Sequence, residues 1–525
     1  MKTKIAHILF ICLTACALTG CYQDKGNYDY TELGAFYIDV AGARTSFTVQ
    51  LLDTLRITPN VVYYGDEANL EYLWKMYPKP PLSTAAMEIS TERNLAVPIP
   101  GSPIAYFLEY VVTEKSTGRA TGFRYDLWVQ AGDPGMLVLY EREQGGVIHT
   151  DFGLITPNFI FFEREEEDRV VYDIFSTSNP DYPLSGSPVG IGGYAYSGTT
   201  GILRYITLVT SNDLVRLSED DYTITHHFDD LFLFPPAEKN ISYYWLPYGE
   251  GHEGSQSQLT TANVNTPSEE FLYINNMLYV NWGSTIQQTY FTETMASTLQ
   301  KLDFAPIVGR GFSVHAFDRL SRRFVQISST SNTFLANGPD IGEPFEGMDL
   351  VYIGRSQDWY SSNMIFKGEG ADEQKRYFRT VNWIGSPSYT PSVSCLGDIS
   401  DYPGIQEAKL FAMAYRSSPA YYVANNRIYQ IKYDTGLGTV EPQPVVAWPG
   451  NGETITAIHF LRHPGRPALV ETDVRNKYLF VGTWNGTEGK VYVFEVNRET
   501  DGSLIQTPVV VYSGFGKIKD FGFKF

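Results

Sequence analysis

Residues from about 35 to 131 alternate apolar and polar positions with period two in short runs. Phe47, Val49 and Leu51 share one face, as do Leu55 and Ile57, then Leu70, Tyr72 and Trp74. Tyr106, Leu108, Tyr110 and Val112 lead through Glu114-Lys115-Ser116-Thr117-Gly118 into Phe123, Tyr125, Leu127 and Val129. Period two puts alternate side chains on one face of a strand, and the last two runs read as a hairpin closed by a glycine-containing turn. Six or seven such strands in about 95 residues predict an immunoglobulin-like β-sandwich with Trp74 filling its core.

A new pattern starts at Ala131-Gly132-Asp133-Pro134-Gly135 and runs to the end with almost no helical periodicity. Short aromatic or aliphatic strands alternate with Gly, Asn, Asp, Pro and Ser. Examples are Leu203 to Val209, Phe271 to Ile274, Met277 to Trp282, Arg427 to Tyr433, Tyr478 to Trp484 and Val491 to Val496. Asn275-Asn276-Met277-Leu278-Tyr279 and Asn425-Asn426-Arg427-Ile428-Tyr429 echo one another, and Asn476-Lys477-Tyr478 is a weaker third copy. A β-helix would show a shorter, stricter repeat, and a chain of sandwiches would show linkers about every 100 residues. Four-stranded blades of about 40–55 residues suit the spacing. The predicted fold is all-β: residues 35–131 a sandwich, and residues 132–525 a β-propeller of about seven blades.

The N-terminus is of another kind. Lys2 and Lys4 precede an apolar segment from Ile5 to Leu18 that ends in Leu18-Thr19-Gly20-Cys21. The segment is too short to span a bilayer with its flanks and reads as a secretory signal over residues 1–20. Its end resembles a bacterial lipobox. That resemblance implies acylation of Cys21 as the first mature residue, with residues 21–34 as a flexible tether leading away from the membrane. Loss of residues 1–20 leaves 38 Lys+Arg against 59 Asp+Glu, a net charge of −21. So acidic a body disfavours nucleic acid and anionic headgroups, leaving neutral or cationic ligands. Once Cys21 is acylated, Cys395 has no disulfide partner, and Ser392-Val393-Ser394-Cys395-Leu396 reads as a buried strand.

Cys21 followed by Asp24-Lys25-Gly26-Asn27-Tyr28-Asp29-Tyr30, and the pairing of Leu70-Glu71-Tyr72-Leu73-Trp74 with Tyr106 to Gly118, resemble the PKD-like family of lipoproteins. That resemblance implies a PKD-like sandwich and a place beside Sus-like (starch-utilisation-system-like) outer-membrane glycan uptake systems. Asp24 is similar to an export signal for the outer face, implying an outer-membrane location facing the cell exterior.

Catalytic signatures are mostly missing: no Gly-x-Ser-x-Gly, no His-Glu-x-x-His, no phosphate loop and no calcium loop. No catalytic residue, metal ligand or cofactor is assigned. His226-His227 with Glu219-Asp220-Asp221 and Asp229-Asp230 is the best polar cluster, but neighbouring strand residues face opposite ways. The positive signal is aromatic residues placed among turn residues. Tyr243, Tyr244, Trp245 and Tyr248, then Trp359 and Tyr360, then Trp484 and Asn485, combine flat rings with amides and carboxylates, as sugar binding requires. The expected function is a non-catalytic glycan-binding or accessory protein, partnered by the membrane, a polysaccharide and a Sus-like transporter complex. A propeller-type glycan hydrolase or lyase and a protein-binding scaffold are the alternatives.

Overall fold

The computed structural model describes residues 34–79, 86–144, 146–160, 167–198, 201–246, 270–281, 290–293, 295–296, 303–310, 314–327, 333–335, 345–356, 361–383, 392–414, 419–460, 477–497 and 500–524. Among these the chain is nearly all strand, with one short α-helix, Ile174–Ser178, and a few 3-10 turns. The all-β expectation therefore holds. Two compact units separate: the described parts of Met1–Phe47, with Arg56–Leu95 and Phe107–Asp126, form one, and Thr48–Leu55, Ala96–Tyr106 and Leu127–Phe525 the other.

The smaller unit is organised on Leu70–Pro78, Met87–Ser90 and most of Ala105–Glu114 and Ala120–Gln130, neighbours in one five-stranded sheet. The alternation read from the sequence is visible as alternating burial along Ala105–Glu114 and Ala120–Gln130. Trp74 is fully buried and stacks on Tyr110 at 4.3 Å and on Tyr125 at 6.0 Å between ring centroids. Its indole N–H donates to the Glu92 carbonyl at 2.9 Å, so the largest core side chain buries no orphaned donor.

Among the described residues the larger unit contains seven successive sheets built on four antiparallel strands, which follow sequence order in all but the first. The second holds Pro188–Gly198, Gly201–Thr210, Leu214–Ser218 and Ile224–His226, and the third Ile241–Trp245, Glu270–Ile274, Met277–Asn281 and Thr292–Glu293. The fourth runs Phe304–Arg310, Val314–Asp318, Arg323–Ile327 and Thr333–Leu335, with Met295–Ala296 added parallel at its edge. The fifth is Met348–Arg355, Ser361–Gly368, Arg376–Asn382 and Ser392–Asp398. The sixth is Phe411–Met413, Ala420–Ala424, Arg427–Gln430 and Val445–Trp448, and the seventh Thr454–Phe460, Tyr478–Trp484, Gly489–Glu495 and Val510–Phe515. The first sheet breaks sequence order: Gly135–Gln144, Val147–Thr156 and Arg169–Val171 are completed by the last strand, Lys517–Lys524, against Gly135–Gln144. The opening strand of each sheet neighbours that of the next, and the opening strand of the seventh neighbours Lys517–Lys524, so the neighbour relations return to their start.

Apolar residues between successive sheets make the core, and one polar knot joins the second sheet to the third. Glu270 accepts from Thr207 and Tyr244 on one carboxylate oxygen, and from Arg216 and Asn281 on the other. Thr207, Arg216, Glu270 and Asn281 are all fully buried.

Candidate functional site

The echo at Asn275-Asn276 and Asn425-Asn426 marks equivalent places: each pair is the two-residue turn between the second and third strands of its sheet. All four residues adopt left-handed backbone, with φ of 50° and 63° in the third sheet and 52° and 55° in the sixth. A hairpin turn with positive φ at both central residues suits the strand twist, and asparagine reaches that region at low cost.

The side chains of these turns are used differently. In the third sheet the Asn275 amide donates to the Glu238 carbonyl at 2.6 Å, and its oxygen accepts from the Asn240 N–H, fastening the preceding crossover. In the fourth sheet the equivalent turn supplies Arg319 to Asp349 at 2.9 Å and Arg322 to Glu369 in the next sheet. In the seventh, the Asn485 oxygen accepts from Thr487 and Glu488 within its own turn. Asn425 and Asn426 have no side-chain hydrogen bond to a described residue. They line an open groove of about 550 Å³.

One wall of this groove is the crossover into the sixth sheet, with Gly404, Glu407, Ala408, Lys409 and Leu410, and the opposite wall is Ile455 and Thr456 of the seventh sheet. Val423 and Ala424 form the floor with Leu410. The crossover is pinned from below: Ile399, Tyr402, Ile405 and Ala408 are buried in one apolar cluster with Tyr422 and Tyr429. The Tyr422 hydroxyl donates to the Pro403 carbonyl at 3.2 Å. Arg376 donates to the carbonyls of Glu373, Lys375 and Gln406, holding the crossover from the fifth sheet. Burial pulls the Arg376 guanidinium below its ordinary value, an effect opposed by the Glu407 charge, which places that carboxylate in the field of the cation without an ion pair. Gly404 has φ +65°, and a Cβ there would sit 2.8 Å from the Ala424 Cβ and 3.2 Å from the Asn425 amide nitrogen. Glycine therefore lets the crossover meet the turn.

Along the crossover Glu407 and Lys409 are exposed and Ala408 is buried, so the two charged side chains stand on the open side. Neither makes an ion pair or hydrogen bond with a described residue. Across the groove, the pairing of Thr454–Phe460 with Tyr478–Trp484 shifts register between Ile455 and Ala457, leaving Thr456 as the extra residue of a β-bulge. Its hydroxyl is shielded from solvent and has no hydrogen-bond partner among the described residues. The groove thus presents one carboxylate, one ammonium and two amides, none hydrogen-bonded or ion-paired to a described residue, beside aliphatic side chains. Such a set binds a polar ligand by converging hydrogen bonds.

The aromatic residues singled out by the sequence are placed elsewhere. Tyr243, Tyr244 and Trp245 lie on the strand Ile241–Trp245 rather than in a turn. Tyr244 is buried with its hydroxyl on Glu270, Trp245 packs on Phe271 with ring centroids 5.5 Å apart, and Tyr243 rests half-buried against the same core. Trp484 is half-buried at the end of its strand, paired with Thr454 two residues from Thr456, and the exposed Asn485 begins the following turn. Tyr248, Trp359, Tyr360 and the acylation candidate Cys21 lie outside the described residues. His226 ends its strand with its ring against Tyr205, and His227 caps the following 3-10 turn with its ring against Tyr182. Cys395 is buried on its strand, and burial pushes its thiol up to about 11.

Glu407, Lys409 and Thr456 carried no functional signal in the sequence, and Asn425 and Asn426 entered only as a repeated turn. The repeated Asn-Asn pair was the available clue, since Asn275 is structurally employed and its counterpart Asn425 is not.

No curated protein matches this chain. Among solved structures, a quinonprotein alcohol dehydrogenase-like protein from Bacteroides thetaiotaomicron aligns at 12% identity over 91% of this chain and 96% of its own, with a TM-score of 0.42. BBS1N in complex with ARL6DN, soaked with lead, aligns at 10% identity over 71% of this chain and 81% of its own, with a TM-score of 0.27. The family likeness lies at the N-terminal end, where residues 21–188 match the model of the PKD-like family, from the cysteine of the lipobox-like segment through the smaller unit to the first strand of the second sheet.

Proposed function

We propose that this is a non-catalytic glycan-binding lipoprotein, in which a PKD-like sandwich carries a seven-bladed β-propeller and the groove between the sixth and seventh blades holds the ligand. The propeller reading is supported by the seven four-stranded sheets, the return of their neighbour relations to the start, and the C-terminal strand that completes the first sheet. Membrane attachment through acylated Cys21, on the outer face of an outer membrane and beside a Sus-like transporter, is part of the same proposal. It rests on the sequence resemblances at residues 1–30.

The observation that carries the binding function is the contrast between equivalent turns. Asn275, Arg319, Arg322 and Asn485 are engaged by their own surroundings, whereas Asn425 and Asn426 have no side-chain partner among the described residues and share a groove with the exposed Glu407 and Lys409. Hydroxyl-rich sugars satisfy amides and carboxylates at once, and an open groove admits an internal stretch of a longer chain. Many weak sites on a crowded surface retain a polymer by effective concentration.

The test is retardation in affinity gels containing plant, host and microbial polysaccharides, scored together with release of reducing ends. Asn425→Gly with Asn426→Gly keeps the left-handed turn and removes both amides. Retardation by the native chain, lost in the double variant and without product release, supports the reading. Retardation unaffected by the double variant moves the site elsewhere, and product release makes the protein an enzyme.

A further inference from the structure

We infer that the groove selects a glycan of mixed charge, an oligosaccharide carrying a free amino group and a carboxylate on nearby sugars. This rests on the reading of the groove as a glycan site and adds the ligand's chemistry.

Glu407 and Lys409 are two positions apart, so their Cα atoms are at most about 7 Å apart. Both line the groove, both are exposed, and neither has a partner among the described residues. Elsewhere charges are matched: Arg319 with Asp349 and Arg322 with Glu369 between the fourth and fifth sheets, and Lys490 with Glu453 at 2.6 Å within the seventh. A neutral sugar seated in the groove would take water from an unpaired ammonium and an unpaired carboxylate and return no charge to either, which opposes binding. A polyanionic glycan would satisfy Lys409 but confront Glu407 and the net charge of −19 carried by the sequence. A polycationic one would satisfy Glu407 and leave Lys409 facing like charge. A ligand with both signs gives each group an opposite charge, with the amides of Asn425 and Asn426 left for its hydroxyls.

The test is calorimetric titration of the full chain, in detergent, with four oligosaccharides of equal length: neutral, uronate only, free amine only, and amine with uronate. The mixed-charge ligand is expected to bind most tightly, by up to about fivefold for each charge matched, the upper end for a solvent-exposed ion pair. Lys409→Met should remove the preference for the uronate and leave that for the amine, Glu407→Gln should do the reverse, and both preferences should shrink at high salt. Binding of the neutral oligosaccharide as tightly as the mixed one, or equal response of all four ligands to either variant, overturns the charge selection. If such binding is still lost in Asn425→Gly with Asn426→Gly, the groove remains the site. Loss of charge preference without any effect of that double variant, or failure of all four ligands to bind, removes both the selection and the groove.

Discussion

Replacing Glu270 with alanine should unfasten the second sheet from the third. The carboxylate takes four hydrogen bonds, from Thr207, Tyr244, Arg216 and Asn281, in a space with no solvent access. Its removal takes the Glu270 carboxylate away from the sealed Arg216 guanidinium, and losing one partner of a buried pair costs about 3–5 kcal/mol. The rings of Tyr205 and Phe291, each 5.8 Å from the guanidinium, return a small part of this, which places the cost near the lower end, about 3 kcal/mol. Glu270→Gln should cost less, because its oxygen can still face Arg216 while its amide donates to the two hydroxyls. Arg216→Met with Glu270→Leu should recover most of the loss, since an apolar pair removes the need for a charge partner. Calorimetric unfolding of the full chain reads all three, through the transition of the larger unit. A Glu270→Ala transition equal to the native one, or a double variant less stable than Glu270→Ala, would refute the reasoning.

Two further outcomes follow from the geometry. Gly404→Ala should lower stability by about 1–2 kcal/mol, because a left-handed position gains a Cβ that collides with Ala424, and it should displace Asn425 and weaken ligand retention as well. Burial pushes the Asp520 carboxyl up to about 7 from an ordinary value of 3.8. Its protonated form favours the fold, so its contribution should be full below about pH 4, fall as pH rises towards 7, and be lost above. Asp520→Asn should flatten the pH dependence of the unfolding midpoint across that window. An unchanged slope would show that Asp520 titrates normally.

Much of the fold was legible in the sequence because strand alternation records which face is buried. Trp74 could be assigned to a core from its phase with Leu70 and Tyr72, and the hairpin through Ser116 to Gly118 followed from its turn residues. The strand Tyr478–Trp484 has the bounds that its apolar run suggested. The Asn-Asn echo also reported true structural equivalence, because a positive φ at two consecutive positions restricts which residues fit. Tyr243 to Trp245 could not be placed from sequence, since Pro247 and the glycines beyond hide a strand whose partner, Phe271 to Ile274, is some 25 residues away. The groove was invisible for a related reason. Its walls come from a crossover, a turn and a bulge that are remote in sequence, and whether an asparagine is engaged depends on what its neighbours offer.

The most direct measurement is hydrogen exchange of the full chain with and without a retained oligosaccharide. The account predicts slower exchange at residues 404–410, 425–426 and 455–456, with no change around the equivalent turn at 275–276. Protection confined to residues 243–248 and 356–363, with the groove unaffected, would contradict it and return the binding function to the aromatic segments.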